Sequence, residues 1–349
     1  MNGDVGTPSI RVVLADDSQT VRAVLRRLLE GAGFEVVGMA ADGEEAVRVV
    51  LETAPDVVVL DLDMPVLDGA EATRILMERD PRPIVILTSR ADPEEFRQAA
   101  GALAAGALEI VPKPATPDAW VGLQGRLAEL LRAAAGRAAE PVSVAGRPGA
   151  LSVGGGPPPR VVAVGASTGG PTAVRDLLHA MGPAPPVTVL LVQHMAAGFE
   201  AGLAEWLAVE TGMTVRIAAD GEPVGAREVR VAPAGVHLTV DEGWRVVLDS
   251  AGEPHGGHRP SVDALFFGCA RAGARSVVGI LLTGMGQDGV EGLAALREGG
   301  ALTIAQDPAT CAVPGMPEAA IRAGAAELVL GPAEAGEVVR RLFREGARG

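Results

Sequence analysis

The chain has 349 residues, 48% of them hydrophobic and 21% charged, with 44 acidic against 30 basic side chains and a formal net charge of −14. That length suits about two domains with sizeable cores, and the acidic balance excludes the basic face that nucleic-acid binding requires. No apolar run approaches the roughly 18–20 residues of a membrane span, and residues 1–9 lack the charged-then-apolar layout of a secretory signal, so a cytoplasmic protein with no membrane insertion is expected.

From residue 9 to residue 131 the pattern alternates strand and helix, with strands expected at 10–15, 35–39, 57–61, 84–88 and 108–111. In 18–30, Val21, Val24, Leu25, Leu28 and Leu29 mark one apolar face at helical spacing, and Ser18 suits the N-cap. Five such repeats predict a doubly wound (βα)5 domain with a parallel sheet. Asp16 and Asp17 follow the first strand, Asp61 ends the third, Thr88 ends the fourth, and Lys113 follows the fifth. All therefore lie at the C-terminal sheet edge, where open α/β sheets build their sites. Clustered carboxylates without a paired base hold Mg²⁺, which draws in a phosphoryl group and offsets its charge. Asp61 can then be the nucleophile of an aspartyl phosphate. Lys113 and Thr88 would contact the phosphoryl oxygens. Acids at strand ends also serve as helix caps, but that reading does not explain matching residue types at successive edges.

Residues 132–159 are mostly Ala, Gly, Pro and Arg with little periodicity, ending in a Gly-rich then Pro-rich stretch. They read as a flexible linker stiffened in its last residues. A second domain is expected over 160–345. It opens with an apolar run at 161–166 that stops abruptly and delivers Ser167 onto a small-residue turn, with Pro171 just beyond. A serine between a strand end and a helix start can be a nucleophile beside unpaired amides; short Gly-rich turns of this kind also bind phosphates. Two further apolar runs have the continuous character of buried parallel strands. The run at 187–194 ends on His194, and the one starting at 277 leads into a Gly-rich loop holding Asp288. A serine needs a base, and the base needs a third group to fix its tautomer. Ser167, His194 and Asp288 supply one of each at the same sheet edge.

The other histidines are weaker bases. His179 lies in an expected helix and His237 near expected hairpins within 229–248. His255 and His258 sit in a Gly/Pro-rich loop, and with no nearby Cys or carboxylate cluster they are weak metal ligands. Cys269 and Cys311, each among apolar or small residues, read as buried thiols of a reducing compartment.

Residues 9–130 resemble the response-regulator receiver domain. The resemblance rests on Ala-Asp-Asp-Ser at 15–18, Leu-Asp-Leu-Asp-Met-Pro at 60–65 with Asp68-Gly69, Leu-Thr-Ser at 87–89, and Val-Pro-Lys-Pro at 111–114. It implies that Asp61 is the phosphoacceptor, with Asp16, Asp17 and the Asp63 backbone carbonyl at the Mg²⁺ site. One departure is Ile110, where many receivers carry an aromatic switch residue; the chain has no tyrosine.

Residues 160–345 resemble the catalytic domain of the CheB family of chemotaxis protein-glutamate methylesterases. The motifs are Gly-Ala-Ser-Thr-Gly-Gly at 165–170, Gln-His-Met at 193–195, His-Arg-Pro-Ser-Val-Asp at 258–263, Leu-Thr-Gly-Met-Gly-Gln-Asp-Gly at 282–289 and Ala-Gln-Asp at 305–307. Gln287 stands where the family often has Asn. The resemblance implies a Ser167–His194–Asp288 triad and hydrolysis of γ-glutamyl methyl esters on methyl-accepting chemoreceptors, with deamidation of specific glutamines. The esterase site would need no cofactor. Oxyanion donors are expected near Thr168 or in the 284–286 loop, and Arg259 is either a receptor contact or a local loop tie. A chemotaxis histidine kinase would be the phosphodonor, and the unphosphorylated receiver would cover the esterase site. A monomer is expected. The competing expectation is a non-enzymatic receiver-linked adaptor that keeps the fold and only binds a partner.

Overall fold

A computed structural model describes residues 9–89, 92–135, 159–184, 187–225 and 227–346. The chain divides into two compact units. The first contains β1 (Arg11–Ala15), α1 (Gln19–Gly31), β2 (Glu35–Ala40), α2 (Gly43–Thr53), β3 (Val57–Asp61), α3 (Gly69–Arg79), β4 (Ile84–Thr88), the part of α4 (Pro93–Ala105) from Gln98 onward, β5 (Glu109–Pro112) and α5 (Pro117–Ala135). Side chains cap α1, α2 and α3, as Asp92 does α4 through the Glu95 amide, at the positions where short polar residues precede them. Ser18 accepts from the Val21 amide, Asp42 from Glu45 and Asp68 from Glu71, each satisfying an N–H that the helix leaves unpaired.

All five strands pair in parallel, in the order β2-β1-β3-β4-β5. The central strands β3 and β4 are buried along their whole length, as a sheet covered on both faces requires. The chain starts at β1, adds β2 on one side and β3 on the other. The strand order therefore reverses between β1 and β3, which opens a crevice beyond their C-terminal ends. The expected strand boundaries shift by a residue or two, and α5 runs through Ala135 into the stretch expected as linker. Residues 136–158, the rest of that stretch, lie outside the described residues.

The second unit contains β6 (Val161–Ala166), α6 (Gly170–Met181), β7 (Thr188–Gln193), α7 (Glu200–Thr211), β8 (Val215–Ile217), β9 (Val229–Val231), β10 (His237–Val240), β11 (Val246–Asp249), α8 (Val262–Gly273), β12 (Val277–Leu281), α9 (Val290–Glu298), β13 (Leu302–Gln306), α10 (Gly315–Arg322), β14 (Leu328–Leu330) and α11 (Pro332–Gly346). Seven strands form one parallel sheet in the order β14-β13-β12-β6-β7-β9-β8. Strands β6, β7 and β12 are buried throughout. One face packs Leu265, Phe266 and Cys269 of α8 and Leu293 and Leu296 of α9 against Val161, Ala163, Val277 and Leu281.

The expected hairpins within 229–248 reduce to one. Only β10 and β11 pair antiparallel, while β9 joins the main sheet in parallel between β7 and β8. The polar residue that gives β9 its alternating look is Arg230, which is 2% exposed. It is buried with its charge matched by Glu228 at 2.8 Å and Glu222 at 3.4 Å. As in the first sheet, the order reverses at the strand where the chain enters. Here the reversal falls between β6 and β12.

Candidate active and phosphoryl-acceptor sites

Both sets of polar residues singled out in the sequence sit at these two reversals. In the first unit Asp16 and Asp17 follow β1 and Asp61 closes β3; their carboxylate oxygens lie within 4.8 Å of one another. Among the described residues this is the group of three or more ligating side chains spaced to hold one ion. Lys113 Nζ lies 2.7 Å from Asp16 Oδ2 and 2.7 Å from Asp61 Oδ1. The Lys113 amide donates to the Thr88 carbonyl at 2.7 Å, which holds the end of β5 against the end of β4. Thr88 is fully buried and Asp63 is exposed. Ile110 is a buried residue of β5.

Burial pushes the Asp61 carboxyl up to about 6, with the Lys113 ammonium opposing and the Asp16 and Asp17 charges reinforcing the rise. Burial also acts to lower the Lys113 ammonium, but its bonds to Asp16 and Asp61 override that and raise it. Three carboxylates therefore share one lysine, a set short of positive charge and rich in hard oxygen ligands. That chemistry fits a divalent cation such as Mg²⁺.

In the second unit Ser167 follows β6, His194 follows β7 and Asp288 lies in the loop after β12. The three strands are neighbours in the order β12-β6-β7. Gly169, at φ +73°, turns the chain from β6 into α6 with no side-chain cap. The left-handed conformation at that position favours glycine. The turn is locked from several sides. The Ser167 amide donates to Thr283 O at 3.0 Å, and the Gly170 amide donates back to Ser167 O at 2.8 Å. Gln193 Nε2 donates to both Ser167 O at 2.7 Å and His194 O at 2.9 Å, so one side chain ties the serine turn to the histidine strand. Thr283 Oγ1 donates to Thr168 O at 3.0 Å. Gly284 approaches so closely that a Cβ there would meet Met316 Sδ and lie 2.6 Å from Ser167 Cβ.

His194 Nε2 lies 2.8 Å from Asp288 Oδ2. The other ring nitrogen, Nδ1, is buried without a hydrogen-bond partner. The 2.8 Å contact turns Nε2 toward the Asp288 carboxylate, and a neutral ring with its proton on that side keeps its lone pair on Nδ1. Asp288 is held in turn by the start of α8. Ser261 Oγ donates to Oδ1 at 2.8 Å, the Val262 amide to Oδ2 at 2.8 Å and the Asp263 amide to Oδ1 at 3.0 Å. Ser261 is also the N-cap of α8. Burial alone would raise the Asp288 carboxyl. The His194 ring and the helix-start amides override it and hold the group well below the usual carboxylate range. Its neighbour Asp263 goes the other way: burial pushes it up to about 6, against a 2.6 Å bond from the Gly292 amide.

Three of these supporting residues carry no sequence signal that reveals their role. Ser261 acts from the loop end that caps α8 and Gln193 from the last position of β7, and the neighbour of the His194 ring is His258, with centroids 4.0 Å apart. The other histidines stay away from this chemistry. His179 is exposed on α6, and His237 Nδ1 accepts from the Ser261 amide at 3.2 Å. Arg259 Nη1 donates to Ser250 O and Gly252 O, a local loop tie. Cys269 and Cys311 are both buried free thiols.

A family model for the CheB methylesterase matches residues 162–339, and one for the response regulator receiver domain matches 12–122. The chain belongs to the CheB methylesterase family. It is 42% identical to protein-glutamate methylesterase/protein-glutamine glutaminase 2 of Anaeromyxobacter dehalogenans, with 97% of this chain and 98% of that protein covered. It is 39% identical, over 97% of this chain and 98% of the relative, to a protein of the same designation from Symbiobacterium thermophilum. Among solved structures, the Thermotoga maritima CheB methylesterase catalytic domain matches at 33% identity with a TM-score of 0.50, covering 53% of this chain and 98% of that one. Among the described residues, no helix of this CheB-family chain is long and apolar enough to cross a membrane.

Proposed function

We propose that this protein is a phosphorylation-activated protein-glutamate methylesterase and protein-glutamine glutaminase acting on methyl-accepting chemoreceptors in the cytoplasm, with Ser167, His194 and Asp288 as its triad. The observation that carries the reading is the Asp288–His194 pair with an unpartnered Nδ1, on the strand beside Ser167. Nδ1 of His194 takes the Ser167 hydroxyl proton as Oγ attacks the γ-glutamyl carbonyl. Asp288 stays ionised and stabilises the imidazolium that forms. The Gly284 amide is committed to Val313 O and the Ser167 amide to Thr283 O. The Thr168 amide and the Met285–Gly286 amides are therefore the donors for the oxyanion. Collapse of the tetrahedral adduct passes the proton from His194 to the departing methanol, or to ammonia from a glutamine. Water activated by the same base then frees Ser167.

In the receiver, Asp61 takes the phosphoryl group from a histidine kinase, with Asp16, Asp17 and the Asp63 carbonyl as the Mg²⁺ ligands. When bound, the ion offsets the phosphoryl charge. Lys113 pairs with the phosphoryl oxygens and Thr88 hydrogen-bonds one of them. The receiver runs from 9 through the end of α5 at 135, and a linker joins it to a catalytic domain over 160–345. The test is methanol release from methylated receptor membranes supplied with a phosphodonor. The S167A and H194A variants are each expected to lose at least about 10³-fold, and the double variant no more than either single, because the residues act as one unit. A wild-type protein that binds receptor but releases no methanol is an adaptor, and the hydrolase reading fails.

A further inference from the structure

The loop between β11 and α8 carries a turn that the hydrolysis above does not use. His255 and His258 exchange backbone hydrogen bonds at 3.1 and 3.0 Å across Gly256 and Gly257. Both glycines are left-handed, at φ +57° and +87°, the requirement of a type I′ turn. The turn is tied down on either side. Arg259 Nη1 bonds Gly252 O at 3.0 Å and Ser250 O at 3.3 Å. His255 Nε2 lies 3.6 Å from Asp263 Oδ2, and its ring meets Phe267 edge-on at 5.9 Å. Asp263 belongs to the same start of α8 that grips Asp288. This anchored turn lays the His258 ring flat on the His194 ring, centroids 4.0 Å apart and planes 2° apart.

We propose that His258 is a positioning residue for the base: its ring is a flat platform that fixes the plane of the His194 imidazole. The inference rests on the reading of His194 as that base. The histidine χ2 torsion has broad wells, and the Asp288 bond at Nε2 pins a single atom of the ring. The ring can still tilt about that contact and change where Nδ1 points. A second ring against its face removes the tilt and shuts water off that face. What lies on the His194 ring is the flat face of His258, so phenylalanine should replace His258 in this role and alanine should not.

The experiment compares full-length wild type, H258A and H258F for methanol release from methylated receptor membranes with saturating phosphodonor. It adds heat denaturation and ¹⁵N NMR of histidine-labelled protein. H258A is expected to lose about 10- to 100-fold in kcat, the scale of a small misalignment of reacting groups, with KM within about two-fold. H258F is expected to stay within about three-fold of wild type, and all three to melt together. The His194 ring should show a single Nε2–H tautomer in wild type and H258F and tautomer averaging in H258A. Wild-type kcat in H258A, a loss in H258A that H258F does not rescue, or an unchanged His194 spectrum in H258A overturns the inference. A wild type that releases no methanol yet loses its fixed tautomer in H258A overturns the hydrolase reading and leaves the platform standing.

Discussion

Asp61 and Asp288 are both buried carboxylates beside the strand where a sheet changes direction, and their neighbours drive them opposite ways. Asp288 meets Ser261 Oγ, two amides and the His194 ring. Asp61 meets one shared lysine and two other acids. With its carboxyl raised to about 6 from 3.8, Asp61 holds its proton more tightly in the folded than in the unfolded chain. Its contribution to stability is then complete below about pH 4 and lost as the pH rises through about 6. Two units correspond to about 3 kcal/mol. In Mg²⁺-free buffer the D61N variant should therefore gain on wild type between about pH 4 and pH 7, by up to about 3 kcal/mol, and millimolar Mg²⁺ should remove the gain. Calorimetry of the full chain reads this directly; a wild-type-to-variant difference that is flat with pH would mean Asp61 is well solvated. Ser167, His194 and Asp288 were legible because each interrupts or follows an apolar run at one sheet edge. Ser261, Gln193 and His258 were not. Ser261 and His258 reach their partners through loop conformations and Gln193 through a side chain at the end of β7, none of which a local periodicity encodes, and the His255–His258 spacing reads instead as a weak ligand pair.

The strands that carry the sites were the most legible elements, because a strand buried on both faces reads as an unbroken Val/Ile/Leu run. β9 was misread as part of a hairpin, since its Val-Arg-Val alternation is the signature of a half-exposed strand. Arg230 is in fact buried and ion-paired to Glu228 and Glu222, so the alternation reflects an internal charge network rather than solvent. Loops were legible in composition but not in purpose. The loop after β12 shows why glycines cluster there: Gly284 leaves no room for a methyl group between Met316 and Ser167. A Gly284→Ala change should displace the serine and cut methanol release by about 10²-fold or more. Gly284 is itself held on both sides, its amide donating to Val313 O and its carbonyl accepting from the Met316 amide. The melting transition should accordingly fall by only a few degrees. A variant with wild-type turnover would show that the serine turn tolerates a shift of that size.

At the scale of the whole molecule the chain joins a phosphate-accepting unit to a hydrolytic one. A flexible tether between two such units is expected to keep each at high effective concentration near the other. If the unphosphorylated receiver restrains the esterase, as the family resemblance implies, a fragment from about residue 160 onward should release methanol faster than the unphosphorylated full chain. Phosphodonor should accelerate the full chain and leave the fragment unchanged. A fragment no faster than the unphosphorylated full chain would mean that the receiver activates instead of restraining. Within the catalytic unit, β6 lies between β7 and β12, and Val161 pairs with Val277. Most of the unit's chain separates those two strands in sequence. The Ser167–His194 side of the site can assemble from neighbouring β6 and β7, but Asp288 arrives only when a loop spanning α6 through α8 has closed. Closing long loops is entropically slow. With Ser167, His194 and Asp288 as the proposed triad, a chain still emerging from the ribosome is expected to bring its serine and histidine together before the acid reaches them, so nascent protein should stay catalytically silent until its sheet is nearly complete.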